Sequence, residues 1–160
     1  VKKDAPVKTA VDINELVQKV VALIRPEAQR VGVQIHTQLA SGLPHVWAQD
    51  IQIQQVIINL ATNGIDAMAD PSLPERCLTI ATAAGPPGQV DVEVRDTGAG
   101  VDEAMRTEIF KQFVTTKSRG MGLGLSISKG ILDAHEGRIV LEATGPTGTL
   151  FRFSLAAQGT

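Results

Sequence analysis

DIQIQQVIINLATNGIDAMAD, residues 50–70, is the stretch from which the fold can be read. Its apolar residues Ile53, Val56, Ile57, Leu60, Gly64, Ala67 and Met68 recur at three- and four-residue steps, the period of a helix with one face in a core. The opposite stripe carries Gln52, Gln55, Asn59, Asn63 and Asp66, and at ~100° per residue the last three fall within about 60° of one another. A solvated helix face ordinarily carries Lys, Arg and Glu. This one is all amides and acids, and no Lys or Arg occurs between Val31 and Glu75. Two amide oxygens and a carboxylate one turn apart are hard oxygen ligands of the kind magnesium accepts while keeping several waters. On spacing alone the stripe reads either as a metal site or as an amide-rich surface.

Outward from this helix, 160 residues are the size of one domain with room for a core. Hydrophobic content of 43% with 20% charged residues fits an ordinary globular chain, and a net charge of −2 gives no basis for binding nucleic acid or an anionic membrane. The single cysteine, Cys77, cannot form an internal disulfide, which is compatible with a reducing compartment; as a packing residue it is a small core hydrophobe. No apolar run approaches the ~18 residues of a membrane span, and the N-terminal VKKDAPVKT lacks the apolar core of a signal peptide. The expectation is a cytoplasmic chain cut from a longer protein.

Residues 1–8 are polar, lysine-bearing and broken by Pro6, and read as a linker; the domain is expected over residues 9–156, with 157–160 as a tail. Asp12 and Glu15 have the spacing of a capping box, and Ile13, Leu16, Val17, Val20, Ile24, Ala28 and Val31 continue at helical period, so a helix is expected from Ile13 to Arg30, kinked or shortened by Pro26. Val33, Ile35, Thr37 and Leu39 alternate with Gln34, His36 and Gln38 as in a half-buried strand with His36 facing solvent. A turn over residues 41–44 and a short extended piece, His45 to Ala48, lead into the amide-bearing helix.

After a proline-bearing loop, Cys77–Thr82 and Val90–Arg95 read as a hairpin around the turn at residues 85–88. Val90, Val92 and Val94 point one way, so by parity Asp96 continues the buried face. A buried carboxylate is costly unless it meets a donor. Thr97-Gly98-Ala99-Gly100 follows at once, and its glycines allow a tight turn and close approach of a ligand. A flat donor such as an adenine amino group fits; a glycine-rich turn with a surface Asp is the competing reading.

Asp102–Phe110 has the pattern of a short helix, and Lys111–Gly124 (KQFVTTKSRGMGLG) reads as a mobile basic loop. Lys111, Lys117, Arg119, Thr115 and Thr116 supply cations and hydroxyls, and Gly120, Gly122 and Gly124 free backbone amides to face an anion. A helix follows, with Leu123, Ile127, Ile131 and Ala134 as its apolar face, Ser126, Lys129 and Asp133 as its polar one, and Gly137 as its stop. Glycines entering a helix N-terminus make an anion site, for which phosphate is the natural occupant. Arg138–Thr144 and Thr149–Leu155 form a closing hairpin with Phe151, Phe153 and Leu155 inward.

An amide helix suited to magnesium, an inward Asp with glycines and a basic loop entering a helix would all be joined by one nucleoside triphosphate. The chain has no GxxxxGK[ST] loop, and GMGLGLS lacks the spacing and strand-to-helix context of a Rossmann fingerprint, so the common nucleotide folds are excluded. QQVIINLATNGIDAM resembles the asparagine box, DTGAG the first glycine box, IFKQFVTTK the phenylalanine box and GMGLGLS the second glycine box of sensor histidine kinases, in that order. The resemblance covers Thr9 to Leu155 and is to the catalytic ATP-binding domain of the gyrase, Hsp90, histidine kinase and MutL superfamily. It implies an α/β two-layer sandwich, a mixed sheet with three helices on one face, and ATP with Mg2+ as ligands.

Carried over residue by residue, the resemblance implies that Asn63 holds magnesium, Asn59 supports metal or phosphates, and Asp96 binds the adenine amine. Gly98 and Gly100 would shape the adenine pocket. Thr116 and Lys117 match the lid, Gly120, Gly122, Leu123, Gly124 and Leu125 would wrap the phosphates, and Thr149 would reach adenine through water. Asp66 matches the asparagine box less closely and reads equally as a surface acid. Gln112 stands where the phenylalanine box usually has proline, Gly64 where alanine is commoner, and Glu136 where a second glycine is usual. In the family the phosphoacceptor histidine and the base lie on an upstream dimerising helix hairpin. None of His36, His45 and His135 has that setting, so the domain is expected to bind ATP, to autophosphorylate poorly alone, and to be monomeric while its parent is a homodimer. The partners implied are that hairpin and a response regulator. A gyrase-like ATPase clamp carries Glu where this chain has Asn59, and an anti-sigma or other serine-type kinase fits the lid sequence less well.

Overall fold

The computed structural model describes residues 7–111 and 121–158. In chain order its elements are β1 (Thr9–Val11), α1 (Ile13–Arg30), β2 (Gln34–Gln38), β3 (Val46–Ala48), α2 (Asp50–Ala67), β4 (Cys77–Ala84), β5 (Gln89–Asp96), α3 (Met121–Ala134), β6 (Arg138–Gly145) and β7 (Gly148–Ala156). Five strands form a mixed sheet of order β2-β4-β5-β7-β6, in which only β2 and β4 run parallel; β1 and β3 pair in a separate two-stranded ribbon. The three helices and the inward residues of the sheet share one apolar cluster. Val17, Ile57, Leu78, Val92, Leu132 and Phe153 are among its fully buried members. The expected two-layer sandwich is therefore observed.

Local chemistry accounts for the helix ends. Asp12 caps α1, its Oδ1 accepting from the N–H groups of Asn14 (3.0 Å) and Glu15 (3.3 Å). Pro26 does not end this helix, which runs on to Arg30; the proline lies on the solvent side, where water can take the carbonyl that its missing N–H leaves free. Gln49 caps α2 by accepting from Gln52 N–H at 2.8 Å. A closed ring of hydrogen bonds ties α1 to the sheet: Asn14 Nδ2 donates to Ala40 O (2.8 Å), Ala40 N–H to Thr82 Oγ1 (3.0 Å), and Thr82 Oγ1 to Asn14 Oδ1 (2.7 Å).

Several expectations need correction. β1 was not foreseen; three residues carry too little pattern, and pairing with β3 makes the strand. In β2 only Ile35 is even half-buried, and Thr37 is exposed, because β2 is an edge strand. In α2, Ala61 and Ile65 join the buried face while Ala67 is only partly covered. Asp102–Phe110 holds one 3-10 turn, Glu103–Met105, and hydrogen bonds continue at three-residue steps to Lys111, the segment being too short to propagate an α-helix. The helix α3 begins at Met121, so Gly122 and Gly124 lie in its first turn and not in a loop.

The buried face of α3 is also displaced from expectation. Leu125, Ser128, Leu132 and His135 point inward, whereas Ile127 is 43% exposed and Ala134 is exposed. The period was legible and the phase was not, because Ser128 counts as polar by type yet is buried by a hydrogen bond. The stop of α3 differs too. Gly137 N–H donates to Leu132 O at 2.7 Å and Glu136 N–H to Asp133 O at 3.1 Å, a Schellman arrangement that puts Glu136, at φ 57°, in the left-handed position. Gly137 is needed for space instead: a Cβ there would sit 2.5 Å from Ser154 O. At the C-terminal end, Ala157 is buried and Gln158 N–H donates to His45 O at 2.7 Å, so the packed chain reaches two residues past 156.

Because a left-handed residue with a Cβ is strained, Glu136→Gly is expected to stabilise the domain by roughly 0.5–1 kcal/mol. The urea unfolding midpoint measures this, and a lower midpoint would contradict the assigned cap.

Candidate functional site

The inward alternation of β5 ends on Asp96, which is 7% exposed. Its Oδ1 accepts from Gly98 N–H at 2.8 Å, and the carboxylate also accepts from Thr149 N–H on β7. Burial pushes the Asp96 carboxyl up from 3.8 to about 6, against the pull of these two N–H groups. The surrounding backbone is packed closely. A Cβ on Gly98 would lie 2.5 Å from the Ala67 carbonyl oxygen at the end of α2, and one on Gly64 would lie 2.7 Å from Leu78 Cδ1 and 3.3 Å from Asp96 Cβ. Gly64 thus looks directly onto Asp96. The Leu78 methyl is a side-chain end that can swing aside, so an alanine at this position needs only that movement.

Beyond Asp96 the turn is fixed by threonines. Gly100 takes φ +89°, the next residue's N–H (Val101) donates to Thr144 Oγ1 at 2.7 Å, and Thr144 Oγ1 lies 2.9 Å from Thr149 Oγ1. Thr149, buried and paired in register with Asp96, therefore carries its hydroxyl at the mouth of the DTGAG turn. Thr97 joins this turn to its neighbours: its Oγ1 accepts from Cys77 N–H (3.0 Å) and donates to Glu75 O (2.8 Å).

The other end of the site lies along α2. Asn63 has a buried Nδ2 with no hydrogen-bond partner among the described residues. An amide can be turned end for end about its last torsion, so the same position can hold an oxygen. A buried amide end without a protein partner is what a ligand to a further group presents. Asn59, one turn earlier, is engaged: Nδ2 donates to Gly124 O and to Ser128 Oγ, both at 3.1 Å, and Oδ1 accepts from Gln55 Nε2 at 2.8 Å. Asp66 is exposed on the last turn of α2. Among the described residues no three His, Cys, Asp or Glu side chains converge to hold a metal, so the amides are the metal-ligating candidates. They suit magnesium, a hard cation that takes few protein oxygens.

The first turn of α3 stands beside Asn59. Gly122 and Leu123 belong to that turn, Gly124 accepts from Asn59, and Leu125 is fully buried in the core. The first backbone N–H groups of a helix have no partner within it, so they are available to an anion. Thr116, Lys117 and Gly120 lie outside the described residues. Of the expected site residues, the structure gathers Asp96, Gly98, Gly100 and Thr149 at one end and Asn59, Asn63 and Gly124 at the other, with α2 running between.

Three contributors escaped the sequence reading. Ser128 looked like an ordinary polar residue. Thr144 looked like the end of a strand. His135 is 6% exposed, with Nδ1–H donating to Ile131 O (2.8 Å) and Nε2 accepting from Gln49 N–H (3.1 Å). It pins the end of α3 to the cap of α2, with both ring nitrogens engaged. Only its helix-terminal place in the sequence hinted at this.

Comparison with known proteins identifies the family. Residues 48–159 match the family of histidine kinase-, DNA gyrase B- and HSP90-like ATPases. The chain is 39% identical over 150 residues to the sensor protein FixL of Bradyrhizobium diazoefficiens, covering 94% of this chain but 29% of FixL. The structure superposes on the catalytic domain of histidine kinase ThkA with TM-score 0.81 at 30% identity, covering 94% of this chain and 95% of that one. It also superposes on full-length ShkA in complex with AMPPNP, with TM-score 0.84 at 28% identity, covering all of this chain and 34% of ShkA. ThkA is further known in complex with the response regulator TrrA; there the TM-score is 0.78 at 26% identity, over 94% of this chain and 42% of that one. By family, fold and the arrangement of its asparagines, glycines and buried aspartate, this chain belongs to the histidine kinase-, DNA gyrase B- and HSP90-like ATPases and is a histidine kinase catalytic domain.

Proposed function

We propose that this domain binds MgATP between α2 and the start of α3 and delivers the terminal phosphoryl group to a histidine on a separate dimerisation domain of a longer, homodimeric protein, for relay to a response regulator. The observation that carries this reading is Asp96: an inward carboxylate, met only by backbone N–H groups among the described residues, beside Gly64, where α2 approaches it closely. Its accepting oxygen suits the adenine amine, with the Thr149 hydroxyl alongside and Gly98 and Gly100 keeping the turn clear. Asn63 is the first candidate for the metal and Asn59 the second. The N–H groups around Gly122–Gly124, helped by the dipole of α3, suit the phosphates. Thr116, Lys117 and Gly120 complete the lid in this reading, and Asp66 stays at its edge.

In such an arrangement catalysis is positioning and charge neutralisation; magnesium, when bound, offsets the charge of the phosphates. Asp96 fixes the base end, and α2 sets the distance from there to Asn59 and Asn63. An amide at Asn59 cannot act as a base, so water is not activated there and the acceptor must bring its own. That chemistry disfavours an ATPase clamp. No helix among the described residues is long and apolar enough to cross a membrane, and we place the domain in the cytoplasm, away from membrane and nucleic acid.

Recognition of an amine needs the ionised carboxylate, so ADP affinity measured by calorimetry should be steady above pH 7 and fall about tenfold by pH 5, as Asp96 protonates through about 6. A flat profile over that range would remove Asp96 from the site. Asp96→Asn should abolish ADP binding while stabilising the ligand-free domain. The folded-state pKa is raised, so the Asp96 contribution to stability is complete below pH 4 and lost as pH rises through about 6, a penalty on the order of 3 kcal/mol. The variant should gain roughly 1–3 kcal/mol over the parent at pH 7.5 and nothing near pH 4 by urea unfolding.

Phosphoryl transfer is tested by incubating the domain and γ-labelled MgATP with the upstream helix hairpin of its own full-length protein as a second chain. Acid-labile label on the hairpin is expected; free phosphate with no labelled protein would favour the ATPase clamp.

A further inference from the structure

Asn59 is asymmetric in its contacts, and the asymmetry decides which end of its amide faces out. Its inner end lies 3.1 Å from both the Gly124 carbonyl oxygen and Ser128 Oγ on α3. A main-chain carbonyl can only accept, so the inner end must be the NH2 group. The oxygen is thereby turned outward, where Gln55 Nε2 donates to it at 2.8 Å. Only the oxygen of an amide can ligate a hard cation. Ser128 is fully buried, with its hydroxyl against Asn59, on the same face of α3 as the core residues Leu125 and Leu132. Gly124 lies close by: a Cβ there would be in ordinary contact with Asn59 Cγ at 3.7 Å.

We propose that Ser128 is a positioning residue for the magnesium end of the nucleotide site, locking the Asn59 amide with its nitrogen toward α3 so that its oxygen is the end presented to the metal. Ser128 acts through Asn59 and touches neither nucleotide nor metal. Because Gly124 belongs to the first turn of α3, the same lock couples the side chain of Asn59 to the helix terminus offered to phosphate. The inference rests on reading Asn59 as a metal ligand. Without Ser128 the Gly124 carbonyl still favours the inward nitrogen, but a single acceptor holds the amide less firmly.

The test is ADP binding to the 160-residue domain by calorimetry, with and without Mg2+, for the parent, Ser128→Ala, Ser128→Thr, Asn59→Ala and the Ser128→Ala/Asn59→Ala pair. Ser128→Ala should reduce the enhancement of ADP affinity by Mg2+ about three- to tenfold, leave metal-free ADP affinity within twofold, and be restored by Ser128→Thr, which keeps the hydroxyl. In the Asn59→Ala background Ser128→Ala should add no further loss, since the two act on one ligand. Equal loss with and without Mg2+, or an undiminished effect in the Asn59→Ala background, would make Ser128 a packing residue and overturn the proposal. If Asn59→Ala lowers the Mg2+ enhancement and Ser128→Ala does not, the proposal fails while the metal reading stands. If Asn59→Ala leaves the enhancement unchanged, both fail together.

Discussion

The close approach of α2 to β5 is the constraint on which the rest of the molecule depends. At Gly64 and Gly98 there is no room for a Cβ unless a neighbour moves, and Asp96 lies between these two glycines. Helix and strand come this near because Ile53, Val56, Ile57 and Leu60 are driven into the same core as Val90, Val92 and Val94. The apolar faces thus set the separation, and the separation forms the walls around Asp96. A carboxylate in such a place is destabilising to the empty domain, which is the usual sign of a group kept for what it binds.

Polar groups elsewhere in the core are closed on themselves. Asn14, Thr82 and Ala40 satisfy one another in a ring, and His135 uses one nitrogen on its own helix and the other on the cap of α2. Around the proposed nucleotide site the pattern is different. Asp96 is held by backbone N–H groups alone among the described residues, and the Asn63 amide has a buried end without a partner. Buried polar groups are ordinarily satisfied, so the Asn63 amide end, without a partner among the described residues, stands apart from the rest of the core.

Asn59 stands between these two cases. Its nitrogen is shared with α3, and its oxygen, turned to the outer side, accepts from Gln55 Nε2 on its own helix. The helices α2 and α3 are therefore joined through one side chain. His135 joins the same two helices at their other ends.

Much of this was legible in the chain, because it depends on local periodicity. Three- and four-residue steps gave α1 and α2, two-residue alternation gave the hairpins, and the parity of β5 put Asp96 inside before any fold was known. The fold class came from the resemblance of the four boxes to those of the histidine kinases, and not from periodicity. What local pattern could not supply was any property set by a partner distant in sequence. Ser128 is buried with its hydroxyl bonded to Asn59, 69 residues away, on the face of α3 that also carries Leu125, Leu132 and His135 inward. Glu136 holds the left-handed cap because Gly137 is pressed against Ser154 and is needed one position later. The sequence by itself determined most of the residues that face inward along α1, α2, β5 and β7, but not those of α3 or the edge strand β2. Only the tertiary structure decided which polar groups are satisfied and which stay open, since that depends on donors and acceptors brought within 3 Å by the packing of elements far apart in the chain.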